Sequence, residues 1–554
     1  MYLLNLIKNN KKISSCLSVL LIFAGVAFSY QYIFQTYFAM DEWSFWMQYI
    51  RYGPFHTILS TPILGWFTGG LRLGLLLTND IFFSLFGLSI LPWNITFLTL
   101  HFLNIFLLYK VLRKFKLSPF GSFLASFYFA VASAGQEALS WPAAGMQVLG
   151  TTPFILIAIL LTIKFNDSRK IKFLLLAIFS AYLSFLMRPT GIMTPALIIA
   201  LIFLFYKRSY LFRIPRIVII LGISTFFLGL CRLLIEYSDK LSHLVLAMFN
   251  IIFFPFVSLS HIFIPYRLMF RLSYGFINFY YPLVSKDSNV ETISHLIVSD
   301  YLSIVVSIFI LILIYILYRR VSKFNKKVIT FGLIVFFVQY TVIALYYVDR
   351  GGLSYLASRH TYTSLIGISI IFGVLIDFIL PKFKASKSLK RYLYICLFIL
   401  VGVWLYKEMT VTRREVRAQA LDDTAIKKTW ESLQSLTLPN SKKVIFYVES
   451  DRTYYYPTYH LPFKLPAAYM LSLAFYGKPF IDRGVIGDIQ SNNTYINSNN
   501  TQYGYFTDIK SLTLLIKQGK ININNVVGLY FVDGTYTFKN TTKQTRKIIE
   551  NELK

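Results

Sequence analysis

The chain has 554 residues, of which 56% are hydrophobic and only 14% charged, yet its formal net charge is +30. An ordinary soluble globular protein carries about a quarter of its residues as charges, so that class is excluded. The 52 Phe and 39 Tyr likewise exclude a disordered basic tail or a soluble nucleic-acid binder, and no nucleic-acid partner is expected.

Apolar runs long enough for a hydrocarbon core of about 30 Å recur along the first three quarters of the chain. They lie near 13–38, 92–112, 119–135, 143–163, 173–187, 191–206, 216–234, 300–318, 328–347, 361–380 and 392–408. This predicts an α-helical polytopic membrane protein with about 11 transmembrane helices over residues 1–409. The first run is too long for a signal peptide and lacks a small-residue cleavage pattern, so it reads as an anchor.

Basic residues concentrate in six short connections, Lys8–Lys12, Lys110–Lys116, Lys164–Lys172, Lys207–Arg216, Arg319–Lys327 and Lys382–Arg391, which hold 25 of the 55. The positive-inside bias places these in the cytoplasm, with the N-terminus inside and the C-terminus outside. Two outer loops are then long, 39–91 and 235–299. Within the second, 244–264 is apolar enough to cross, but a crossing would put Arg319–Lys327 outside, so a re-entrant or interfacial helix pair is expected there.

Beyond Lys407 the composition becomes that of a soluble protein, which predicts a small extracytoplasmic α/β domain over 410–554. Its expected elements are a helix at 415–436, strands at 442–449 and 525–532, an Asp-Gly turn after the second strand, and helices at 508–519 and 541–552. The Asn tract 491–500 reads as a surface loop. Cys16, Cys231 and Cys396 all fall in apolar runs, which gives neither a disulfide framework nor a thiolate metal site.

Ionisable residues beside membrane spans call for explanation, since each costs about 2.5–3.5 kcal/mol at the centre of a span. Here they gather on the outer side: Asp41 and Glu42 after the first run, Arg72 and Asp80 in the first outer loop, Glu137, Arg188, Arg350, Arg359 and His360. His101 and Asn104 lie one turn apart on the second run, as ligands or as interhelical hydrogen-bond partners. The fifth run is short, so Arg188 is expected in a recess below the outer surface, facing an anion. Asp41 could alternatively cap a helix, and Asp377 is expected to pair with Lys382 or Lys384. Carboxylates opposite several arginines suit group transfer from an anionic lipid, the carboxylate taking a proton and the arginines holding a phosphate.

Several stretches resemble the GT-C superfamily of integral-membrane glycosyltransferases, in particular its protein O-mannosyltransferase-like members. Asp41-Glu42 is similar to their acidic pair after the first span. The stretch 71–114 resembles "RPL…LFGLNPWGFHLVNLLLH" through Arg72, Gly87, Leu88, Pro92, Trp93, His101 and Asn104. GQEALSW resembles "TEAVAW" through Glu137 and Trp141, and SRHTYTSLIG resembles "ERYLYLPSLG" through Arg359 and Tyr362. His360 departs from the Tyr of that motif, its proline is missing, and the soluble domain differs from that of the closest eukaryotic relatives.

The resemblance implies a polyprenyl-phosphate-linked sugar donor used on the non-cytoplasmic face of a cell membrane. Asp41, with Glu42 as second choice, would be the general base, and the acceptor would be a glycan, lipid or protein hydroxyl. Arg72, Arg188, Arg359, His360, Glu137 and His101 would bind the donor phosphate or the sugar. No cofactor is expected; the alternative is a divalent metal on Asp41, Glu42 and Glu137. The competing functions are a glycan polymerase, a lipid-linked sugar flippase or a transporter; a transporter would show internal repeats and polar breaks at mid-membrane, and the sequence shows neither.

Overall fold

The computed structural model describes residues 11–38, 42–43, 45–46, 49, 53–60, 73–205, 241–264, 269, 288–346, 358–382, 387–436, 443–451, 454–456, 459–461, 494–498 and 501–554. The expected span at 216–234, with Cys231, lies outside them, as do Asp41, Arg72 and Arg350.

Helices dominate. They are α1 (Lys11–Ser29), α2 (Leu73–Phe86), α3 (Ile90–Lys114), α4 (Pro119–Val131), α5 (Pro142–Ser168), α6 (Ile171–Met187), α7 (Thr194–Phe205), α8 (Leu241–Phe263), α9 (Ser288–Arg320), α10 (Lys323–Tyr346), α11 (Leu365–Lys382) and α12 (Lys387–Ser435). Among the described residues, five segments are long and apolar enough to cross a membrane: Cys16–Gln35, Ile90–Lys114, Pro142–Ser168, Tyr301–Arg320 and Lys323–Ile343. Apolar faces turned outward, such as Phe179, Phe203, Val305, Phe309, Phe398 and Leu400, suit a lipid surrounding.

Several helices end earlier than hydropathy implies, each where a polar partner captures the backbone. The first helix stops at Ser29, and a 3-10 turn (Ile33–Gln35) and extended residues follow. There the buried Asn94 amide donates to Ile33 O at 2.7 Å. The third run breaks after Val131 into a 3-10 turn, Ser133–Gly135. The side chains of Lys382 and Lys384, expected to pair with Asp377, lie outside those described, and Asp377 also contacts backbone. It accepts the Ser118 backbone N–H at 2.6 Å and the Ser118 hydroxyl, at the start of α4, whose N-cap is Ser118.

Two larger differences concern helix continuity. Residues 241–263 form one helix running through Pro255, not a helix pair, and it packs against α9 and α10. Ser307 Oγ reaches Phe256 O, one of the carbonyls near that proline. The last apolar run and the expected soluble helix 415–436 are a single helix, α12, of 49 residues. At 1.5 Å per residue it is about 74 Å long.

α10 and α11 approach closely because Gly332 and Gly367 face each other; a Cβ on Gly332 would lie 2.8 Å from Gly367 O. Small residues at such crossings let helix backbones come within contact distance.

The C-terminal region forms a five-stranded sheet of order β4-β5-β1-β6-β7 and a separate two-stranded ladder. The sheet comprises β1 (Lys443–Ser450), β4 (Thr494–Ser498), β5 (Thr501–Phe506), β6 (Val526–Val532) and β7 (Thr537–Asn540); β2 (Tyr454–Tyr456) and β3 (Tyr459–Leu461) form the ladder. Strand β1 lies parallel to both β5 and β6, and the outer strands are antiparallel. The Asn tract expected as a loop therefore contributes edge strand β4. Helices α13 (Ile509–Lys517) and α14 (Thr542–Leu553) complete the region, α13 capped by Asp508.

The two faces of β1 are both buried, which is why it reads as an unbroken apolar run. Ile445 and Tyr447 pack with Leu512 and Ile549 of α13 and α14. Val444, Phe446 and Val448 share a cluster with Trp430 and Leu433 of α12, which continues into the helical bundle. Phe538 N–H donates to Ser432 Oγ at 2.8 Å, tying β7 to the same helix. Trp430 in turn lies against Trp43, with ring centroids 5.1 Å apart.

Trp430→Ala removes the side chain that both the sheet and the segment after α1 rest on. Denaturant unfolding of the purified protein is expected to show about 3–5 kcal/mol lost, with the sheet becoming protease-sensitive first.

Candidate functional site

Of the expected site residues, His101, Glu137, Arg188, Arg359 and His360 lie where α3, α4, α5, α6 and α10 meet the turns at 133–140 and 358–364. The centre of this region is one 3-10 turn, Ser358–His360, from which two side-chain pairs extend.

The first pair is Arg359 with Glu137. Arg359 Nη1 lies 3.2 Å from Glu137 Oε2, and the Arg359 backbone N–H also points to that oxygen at 3.4 Å. The Glu137 backbone N–H donates to Ser358 Oγ at 3.0 Å, so the two turns are joined in both directions. The Arg359 guanidinium stacks over Trp141 at 4.2 Å from the ring centroid. Stacking occupies the face of the guanidinium and leaves its N–H donors in the plane, the geometry for binding carboxylate or phosphate.

The second pair is Arg188 with His360. Arg188 closes α6 in an extended conformation and is 6% exposed. Its Nη2 lies 2.7 Å from His360 Nδ1. A guanidinium only donates, so Nδ1 is the acceptor and the imidazole proton resides on Nε2. Gly191 lets the Arg188 turn close: its Cβ would run into the Ser184 backbone.

His101 is engaged on both nitrogens. Nε2–H donates to Ala130 O at 3.0 Å, and Nδ1 accepts from Tyr362 OH at 2.8 Å. Asn104 Nδ2 donates to Tyr362 OH and Leu149 O, each at 3.3 Å. These residues tie α3, α4 and α5 to Tyr362 and so hold the 358–364 stretch. Their interhelical reading is the one this geometry favours, and His101 bears on the site through Tyr362.

Glu42 is 1% exposed, and its Oε1 accepts the Ala143 N–H at 2.6 Å. Ala143 is in the first turn of α5, where the N-cap residue Trp141 offers no side-chain acceptor. Glu42 thus caps α5 from a distant segment, placing a negative charge at the positive end of the helix dipole. The flanks of the acidic pair are held as well. Trp43 Nε1 donates to Phe38 O at 3.0 Å, and Tyr37 N–H donates to Asp423 Oδ2 at 2.9 Å. Asp41 and Arg72 lie outside the described residues.

Two carboxylates missing from the sequence-based set prove central. Glu408 is fully buried on α12, its Oε2 accepting the Ser133 N–H at 3.0 Å and the Ser133 hydroxyl at 2.7 Å. It anchors the turn leading to Glu137. Asp423, 1% exposed, also accepts from Gln419 Nε2 at 2.8 Å. The sequence does carry a signal for Asp423: it falls three and seven residues after Ala420 and Val416, on the buried stripe of α12. Among the described residues no group of three or more His, Cys, Asp or Glu is placed to hold a metal ion.

No protein-family model matches the chain, and no curated protein is detectably similar to it.

Burial raises the Asp423 carboxyl to about 7, with Glu42 and Asp422 adding to the rise and the Tyr37 and Gln419 hydrogen bonds opposing it. The folded state therefore holds a proton there that the unfolded chain releases near pH 4. This stability is fully present below about pH 4 and is lost as pH rises to about 7, a change on the order of 4 kcal/mol. Asp423→Asn is expected to remove that part of the pH dependence, read as the slope of the unfolding midpoint between pH 4 and 7.

Proposed function

We propose that the protein is an inverting glycosyltransferase of GT-C type, using a polyprenyl-phosphate-linked sugar on the non-cytoplasmic face of the membrane. The observation that carries this reading is the convergence of Arg188, His360, Arg359, Glu137 and Trp141 on the single turn Ser358–His360. These residues come from separate parts of the chain; motif likeness points to Glu137, Trp141 and Arg359, and the shortness of the fifth run points to Arg188.

In this reading the chain crosses the membrane about 11 times, with the N-terminus cytoplasmic and the sheet outside. The acceptor hydroxyl oxygen attacks the anomeric carbon, and Asp41 takes its proton. The bond from the anomeric carbon to the phosphate oxygen breaks through an oxocarbenium-like state, and the electron pair leaves with the lipid phosphate. The phosphate gains one negative charge as it departs, which Arg359 and Arg188, with Arg72, offset. Glu42 is occupied as the cap of α5, which favours Asp41 as the base. Glu137 and Trp141 hold Arg359 in place before the donor arrives.

Asp41→Asn is expected to abolish release of lipid phosphate from labelled polyprenyl-phosphate sugars while the protein still accumulates in the membrane. Arg359→Ala is expected to lower the rate about a hundredfold or more. Full turnover by the Asp41→Asn protein would overturn the assignment.

A further inference from the structure

Next to the Arg188–His360 pair runs a seam of buried polar atoms, several of which have no hydrogen-bond partner among the described residues. Both amide atoms of Gln339, which is 1% exposed, are in this state. So are the hydroxyls of Thr190 and Thr363, both on buried side chains.

These atoms share one neighbourhood. Tyr340 OH sits beside the side chains of Ser258, Thr361 and Ser364. The turn 189–193, which carries Thr190, packs on α10, where Ile192 and Met193 meet Val338 and Val342. On the other side of α10, Phe336 meets Gly367 of α11. Helical periodicity places Gln339 between those two faces.

Buried polar side chains are nearly always satisfied by protein, by water or by a ligand, and a group of them left open in one place marks a site. The character of the group is informative. It contains no charge of its own, and hydroxyls and a carboxamide both donate and accept. That suits a polyhydroxylated, uncharged ligand next to an anion held by arginine.

We infer that this seam is the subsite for the sugar of the donor, with Gln339 as the residue that distinguishes a sugar-charged lipid phosphate from the bare lipid. The inference rests on the reading of the protein as a user of polyprenyl-phosphate sugars. Arg188 and Arg359 hold the phosphate, and Gln339, Thr190 and Thr363 hydrogen-bond the ring hydroxyls. A site built to hydrogen-bond a ligand hydroxyl discriminates strongly against a ligand that lacks it, because its own polar groups are then left unpaired.

The test is equilibrium binding of the purified full-length protein, in lipid nanodiscs, to bare polyprenyl phosphate and to polyprenyl-phosphate mannose, glucose and galactose. The wild-type protein is expected to bind at least one sugar-charged lipid about tenfold or more tighter than the bare lipid. Gln339→Leu is expected to bring the two within about threefold while leaving bare-lipid affinity unchanged. Thr190→Val should narrow the difference in the same direction, and it keeps the side-chain shape should the leucine variant fail to fold. Unchanged sugar preference in both variants would overturn the subsite and assign the seam to bound water. Wild-type binding of the bare lipid without any sugar preference would also overturn it, while leaving the phosphate site intact. Failure to bind any of the four lipids would overturn the donor reading itself.

Discussion

Backbone N–H groups that leave a helix inside a protein must find an acceptor, and at the ends of this bundle they find carboxylates. Asp423 takes the N–H of Tyr37, Glu408 that of Ser133, Glu42 that of Ala143 and Asp377 that of Ser118. The partners are 386, 275, 101 and 259 residues apart in the chain. Each bond fixes a place where an apolar run stops being helical or a new helix begins. A buried N–H left without an acceptor costs about 1–3 kcal/mol, so a few of these bonds can hold turns that no sheet or helix supports. The turns that carry Glu137 and the acidic pair are the ones held this way.

Helix α12 supplies two of those four acceptors and also the face on which the sheet rests. Nothing in its backbone changes between the apolar part and the polar part. An α-helix satisfies its own hydrogen bonds in lipid and in water alike, so only the outward side chains need to change along its length. Glu408, Asp423 and Trp430 thus lie on one rigid element, and the sheet, the segment after α1 and the turn before Glu137 share a common support.

The same physics explains what could be read from the sequence. Helix α3, helix α5 and strands β1 and β6 were legible because burial writes itself into long apolar runs. Helix ends were not, since hydropathy at Ser29 or Val131 carries no trace of an acceptor hundreds of residues away. The break expected after Lys407 reflects a change of surroundings rather than of backbone. The edge strand at Thr494–Ser498 was hidden because Asn and Thr at a sheet edge satisfy themselves by pairing with β5, a tertiary gain that local propensity does not contain. Within the site, motif likeness indicated Glu137, Trp141 and Arg359, and position relative to the short fifth run indicated Arg188. Motif likeness carries no sign that the Glu42 carboxylate also receives the Ala143 N–H.

These backbone bonds matter for how the arginines are set. A carboxylate locked onto a buried backbone N–H cannot exchange partners without undoing the turn it holds. Glu137 also contacts backbone, but its stronger partner is a side-chain cation, and that cation is independently fixed by stacking on Trp141. Exchanging one anion for another at Arg359 therefore requires no movement of the guanidinium. A charge-stabilising group that is already in position contributes more to a developing negative charge than one that must be reoriented, because no reorganisation opposes it at the moment of reaction. At Arg188 one neighbour is an imidazole nitrogen, which accepts a hydrogen bond from the guanidinium.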